Sequence, residues 1–151
     1  MNKQVPRQFN GPAILAAMFR ELDPPFRKKL YEKLCQISPI IARTVEQLEF
    51  VYSDIIRLED QSLQLLLRSV SEKDWLMAFR LTGEDLKARL LANMSANKRD
   101  DFSSQLHKLG KQKKTAVVRV QMQIAKQARE MLIAGKLRLR SRRKYSRHPN
   151  S

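Results

Sequence analysis

Small polar residues and prolines recur just ahead of runs whose apolar positions repeat at three- and four-residue steps, and this punctuation limits the chain to a ladder of short helices. Asp23 precedes Pro24 and Pro25, and Ser38 precedes Pro39. Each pair sets an N-cap before proline, at a turn where a missing amide costs nothing. Ser71 with Asp74, and Thr82 with Asp85, place a carboxylate three residues after a hydroxyl, in the manner of a capping box. The pattern predicts helices near 12–22, 25–36, 39–49, 61–69, 72–81 and 83–92, with residues 50–60 as a connector. Ser95 opens another helix that reaches Gly110, and Thr115 opens a long one that stops at Gly135, where glycine supplies the left-handed residue past a helix end.

Within that last helix Val117, Val120, Ile124, Ala128 and Met131 share one face, while Arg119, Lys126 and Arg129 point elsewhere. Trp75, beside Leu76, Met77 and Phe79, reads as a core anchor. No stretch alternates with the period of a strand. The fold class expected is all-α.

Several function classes drop out. Cys35 is the lone cysteine and no Cys/His cluster has zinc spacing, so a structural metal and an internal disulfide are not expected. Cys35 itself suits a small core position. His107 and His148 have no carboxylate or serine at catalytic spacing, and no glycine-rich phosphate loop or nucleophile elbow is present. The chain is therefore not expected to be an enzyme or to hold a cofactor. Apolar stretches such as residues 13–19 fall short of the roughly 20 residues that span a bilayer. Arg20 and Glu21 interrupt that stretch and no small-residue cleavage site follows, so no targeting segment is expected.

Charge is distributed unevenly. Residues 1–96 hold 14 Lys/Arg against 12 Asp/Glu, whereas residues 97–151 hold 16 against 3. The basic excess belongs to the C-terminal third, which seeks an anionic partner. Residues 136–151 carry too much like charge and too little apolar surface to fold alone and predict a mobile basic tail. Its Arg142-Arg143-Lys144-Tyr145 word suits phosphate contact with stacking, so nucleic acid or an anionic surface is an alternative partner.

The order of these helices and several short words resemble the bacterial flagellar motor switch protein family FliG, over roughly residues 11–137. Gly11-Pro-Ala-Ile-Leu-Ala-Ala-Met, Leu22-Asp-Pro and Ile41-Ala-Arg are similar to the last armadillo-like helices of the family's middle domain. Phe50-Val51-Tyr52-Ser53-Asp54-Ile55 resembles its Met-Phe-Val-Phe-Glu-Asp-Ile hinge, with Glu49 where methionine is usual. The words continue through Leu58-Glu-Asp-Gln-Ser-Leu, Ala78-Phe-Arg, Asn93-Met-Ser, Gly110, Gln121 and Gly135-Lys-Leu.

The resemblance implies an armadillo-like, right-handed superhelix of short helices in two small units joined by a hinge at Phe50, Val51 and Tyr52. It divides the chain into a flexible start (1–10), middle-domain-like helices (11–49), a connector (50–60), a C-terminal-domain-like unit (61–135) and the tail (136–151). It implies a rotor and switch component that transmits torque and sets rotation direction, cytoplasmic and peripheral to the inner membrane at the basal body. Implied partners are the cytoplasmic loop of the stator subunit MotA, the switch protein FliM and further FliG-type subunits in a ring. A non-functional remnant of a flagellar gene is the other reading. The family's charged ridge carries over in part: Arg80 and Lys113 keep their sign, Asn97 stands for an arginine, and Ser104 with Gln105 stand for an acidic pair. Asp100 and Asp101 lie one turn earlier on the same helix face and are candidate substitutes for that pair. Their alternative role is to stabilise the N-terminal half of the helix through its dipole.

Overall fold

The computed structural model describes residues 11–140, and the chain divides between Phe50 and Val51 into two compact units. The first holds α1 (Gly11–Arg20), α2 (Pro24–Ile37) and α3 (Pro39–Leu48), with α1 and α2 both packed on α3. Its core is small: Ala16, Phe19 and Val45, flanked by Leu15, Tyr31, Leu34 and Leu48. Ser38 serves two helices. Its amide donates to Leu34 O at 2.8 Å to finish α2, and its hydroxyl accepts the Ile41 amide at 3.4 Å to start α3. Asp23 occupies the N-cap of α2 in extended conformation, yet its side chain makes no capping bond. Pro25 has removed the N2 amide, one of the two that such a side chain satisfies. A Tyr31 hydroxyl to Glu46 bond of 3.1 Å ties α2 to α3.

The second unit opens with a short 3-10 helix, Tyr52–Arg57, where the sequence predicts only a connector. Ile55 and Leu58 explain the difference, since both are fully buried and pull the segment onto the body. There follow α4 (Asp60–Ser69), α5 (Glu72–Phe79), α6 (Glu84–Ala92), α7 (Ala96–Lys108) and α8 (Lys114–Ile133). The apolar face of α8 buries Val117, Ile124, Ala125, Ala128 and Leu132, and α5, whose Trp75, Leu76, Ala78 and Phe79 are buried, packs on that helix. Fully burying one such side chain contributes about 1.5–3 kcal/mol, so this helix pair supplies a large share of the second unit's cohesion.

Ser71 and Ser95 cap as the sequence predicts, accepting the Asp74 and Lys98 amides at 3.2 Å each. Two other starts differ. Gly83, not Thr82, is the N-cap of α6, because the Thr82 hydroxyl is buried and donates to Ala78 O at 2.7 Å. Lys113, not Thr115, is the N-cap of α8.

The basic tail begins later than the sequence suggests. Gly135, at φ +80°, turns the chain back after α8, and Leu137 is buried. The Glu59 amide donates to Arg138 O at 2.9 Å and the Arg140 amide to Arg57 O at 2.7 Å, framing an antiparallel bridge between Leu58 and Leu139. Lys136, Arg138 and Arg140 are exposed while Leu137 is buried and Leu139 half-buried, an alternation that lets so charged a segment lie on an apolar surface. Residues 136–140 therefore belong to the body. Residues 1–10 and 141–151, on which the flexible start and the remaining tail fall, lie outside the described residues.

Candidate functional site

The four charged side chains singled out in the sequence are all exposed. Arg80 is the C-cap of α5, Lys113 the N-cap of α8, and Asp100 and Asp101 lie on α7. One ring contact organises three of them. Phe79, just before Arg80, meets Phe102, just after Asp101, edge to face with ring centroids 4.7 Å apart. Phe102 is the one buried residue of α7, so this contact fixes how α7 sits on α5. Lys113 is connected less directly, through the packing of α8 on α5. No two of the four side chains bond to each other among the described residues.

The acidic pair lies in the N-terminal half of α7 but beyond its first turn. With Ser95 as N-cap, Asp100 and Asp101 are the fifth and sixth residues of α7, and its first turn holds no acid. A macrodipole contribution fades beyond the first turn. Gln105 Nε2 donates to Asp101 Oδ2 at 3.0 Å, which shows the two positions stacked one turn apart on one helix face. Asp100 has no side-chain partner among the described residues.

The three positions expected to form a hinge differ from one another. Phe50 is fully buried, Val51 is half exposed, and the Tyr52 hydroxyl meets Thr82 Oγ1 at 2.9 Å. Because Thr82 spends its own proton on Ala78 O, the tyrosine is the donor in that pair. Gln121 Nε2 also donates to Ala78 O, at 2.9 Å, so one carbonyl joins the end of α5, the 3-10 helix and α8. Burial pushes the Tyr52 hydroxyl up to about 12, although the Thr82 bond opposes the shift.

Two features carry no signal in the sequence. Arg89 donates to Ile56 O and, at 2.7 Å, to Asp60 Oδ1, and Arg140 donates to the same Ile56 carbonyl at 3.1 Å. The Arg89 guanidinium holds the Asp60 carboxyl below its ordinary value. Their partners lie some 29 to 84 positions away. The other is a groove of about 730 Å³ beside the 3-10 helix, where Val51, Leu81, Val118 and Met122 are exposed and where Glu84 and Asp85 also line the wall. No group of three or more His, Cys, Asp or Glu side chains among the described residues converges to hold a metal. None of the described helices is long and apolar enough to cross a membrane.

Comparison with known proteins agrees with this architecture. Residues 32–139 match the profile of the FliG C-terminal domain. The flagellar motor switch protein FliG of Thermotoga maritima is 30% identical over 122 residues, 81% of this chain and 36% of its own length. That of Aquifex aeolicus is 26% identical over 132 residues, 87% of this chain and 40% of its own length. The chain thus spans about two fifths of these relatives. The structure of full-length FliG from Aquifex aeolicus superposes with a TM-score of 0.58 at 26% identity, covering 85% of this chain and 40% of that one. A FliG fragment from H. pylori superposes with a TM-score of 0.63 at 21% identity, covering 87% of this chain and 58% of that one, and bears on the fold alone. With the matched profile spanning most of the chain, from residue 32 in the first unit through residue 139 of the second, this protein belongs to the FliG C-terminal domain family.

Proposed function

We propose that the chain is a rotor-side component of the flagellar motor switch that meets the cytoplasmic loop of the stator subunit MotA through Arg80, Lys113, Asp100 and Asp101. The observation that carries the reading is membership of the FliG C-terminal domain family together with the exposure of all four side chains on one compact helical unit. The physics suits a contact that forms and releases repeatedly. Opposite charges steer encounter over about 10 Å at 0.1 M salt. Once formed, an exposed pair holds by only about 0.2–1 kcal/mol, so a passing partner is not trapped. The role is one of contact and force transmission, without chemistry at a reacting atom.

In this reading the switch protein FliM and neighbouring FliG-type subunits are the rotor partners, and the chain sits at the cytoplasmic side of the basal body. The pivot for a change of rotation direction lies at Phe50 and Val51. Tyr52 moves with the second unit, a refinement supported by its hydroxyl bond to Thr82. The test is made in a flagellated cell carrying the fluorescently tagged full chain. Foci at flagellar bases, and altered rotation with Arg80→Glu while the foci persist, are expected. Diffuse fluorescence, or rotation indifferent to Arg80→Glu combined with Asp100→Lys and Asp101→Lys, overturns the proposal.

A further inference from the structure

On α4, Gln61, Gln64 and Arg68 recur at steps of three and four, so they share one face, and all three are exposed. The chain turns back at Gly135, and the Arg138 backbone is clamped to the start of α4 by two bonds. Its amide donates to Ser62 Oγ at 2.7 Å, and its carbonyl accepts the Glu59 amide at 2.9 Å. At the far end of α4, Gln127 Nε2 donates to Ser69 O at 3.2 Å and ties α8 there. The cleft between α4 and the returning segment has a volume of about 390 Å³.

The lining of this cleft sets three cations, Arg68, Lys136 and Arg138, against one carboxylate, Glu59. None of the three cations has an ion pair or a side-chain hydrogen bond among the described residues. Residues 1–10 and 141–151 contain no Asp or Glu, so those stretches have no acidic side chain to offer them. Like charges gathered round a cleft focus a positive potential into it. Ser62 adds a further donor. It lines the cleft and is only 6% exposed, and its hydroxyl accepts the Arg138 amide while its own proton has no acceptor among the described residues. A buried donor ordinarily finds a partner.

The donor set selects the chemistry of the ligand. Each guanidinium presents parallel N–H groups that match two oxygens of one anion, and an ammonium and a hydroxyl add donors from other directions. A carboxylate offers two oxygens in one plane, whereas a phosphate offers oxygens set tetrahedrally, which donors from several walls can share. We propose that this cleft binds the phosphate group of a phosphate ester, held by Arg68, Lys136, Arg138 and the Ser62 hydroxyl. Glu59 tempers the attraction, and the exposed cations let the ligand exchange. The site is separate from the four charges assigned to stator contact and does not rest on that assignment. The phosphate belongs either to a soluble ester or to a lipid headgroup.

The test titrates the full chain with glycerol 1-phosphate at constant ionic strength and follows amide and arginine side-chain NMR signals. Saturable shifts at Ser62, Arg138 and the Arg68 guanidinium are expected. Arg68→Gln combined with Lys136→Gln removes two exposed pairs and should weaken binding about tenfold, with the amide spectrum outside the cleft unchanged. Glu59→Gln should tighten binding about twofold. Sedimentation with phosphatidylglycerol vesicles that excess glycerol 1-phosphate reverses supports the proposal with a lipid headgroup as the source. Saturable binding of glycerol 1-phosphate without such sedimentation supports it with a soluble ester. Shifts that do not saturate, or that are as large at Lys111 and Lys114 as in the cleft, overturn the proposal. So does an affinity unchanged by the double substitution, or acetate binding as tight as that of glycerol 1-phosphate.

Discussion

Phe79 and Phe102 meet with their ring planes 69° apart, and this edge-to-face contact seats α7 on α5. Both rings are essentially inaccessible, while their chain neighbours Arg80 and Asp101 are exposed. One apolar joint thus presents two opposite charges on a fixed frame. Phe102→Ala is expected to cost about 3–5 kcal/mol, through lost burial plus the cavity it leaves. Asp100→Asn and Asp101→Asn should each stay within about 0.5 kcal/mol of the parent. Denaturant unfolding of the second unit checks both, and equal effects from ring and carboxylate would contradict the division of labour.

Tyr52 gives a prediction at alkaline pH. Its folded value of about 12 lies above the 10.0 of an exposed tyrosine. The unfolded chain therefore loses this proton first. Its contribution is complete below pH 10.0 and is lost as pH rises through about 12. The stability difference between the parent and Tyr52→Phe should shrink across that window, measured by urea unfolding at successive pH values. A difference that stays constant would show that the hydroxyl is not held from water.

Asp60 supplies the opposite sign. Hydrogen bonding and charge from Arg89 lower its carboxyl from 3.8, so its contribution is present above that value and fades as pH falls through the lower folded one. Arg89→Gln should raise the Asp60 titration point toward 3.8, followed by carboxyl carbon NMR. An unmoved midpoint would mean that the 2.7 Å contact does not persist in solution.

At Gly135 space and backbone strain disagree, and strain should win. A Cβ added there meets nothing within 4 Å, yet φ is +80°. The left-handed conformation costs an L-residue about 1–2 kcal/mol, so Gly135→Ala should destabilise by that amount. Because Gly135 returns the chain to the Leu58 and Leu139 bridge, hydrogen exchange at the Glu59 and Arg140 amides should also quicken. Unchanged exchange would show that residues 136–140 hold their place without the turn.

Much of the helix ladder was legible because its punctuation is local. Ser71 and Ser95 each satisfy an amide three residues on, and the Gly135 stop needs only its own φ. Thr82 shows where local reading fails. Its sequence neighbours invite a cap, but Tyr52, thirty positions away, and Ala78 O engage its hydroxyl. The tail starts later than its composition suggests for a related reason. Lys136, Arg138 and Arg140 dominate the composition, whereas the seating is done by Leu137 and by the backbone bonds to Arg57 and Glu59. The groove could not be read at all, since it draws together three segments that no periodicity connects. Among the candidate charges, residue identity and exposure could be anticipated, but the Phe79 to Phe102 joint that relates Arg80 to Asp101 could not.

Binding of the full chain to the stator's cytoplasmic loop, measured across a salt series, tests the central claim most directly. Arg80→Glu and Lys113→Glu should each weaken binding at low salt by about 1.4- to 5-fold, that is about 0.2–1 kcal/mol for each exposed pair lost, and the loss should shrink as salt is added. A loop with its facing acidic residue changed to lysine should restore the affinity of Arg80→Glu. Affinity that is indifferent to both reversals and to salt would contradict an electrostatic contact at this surface.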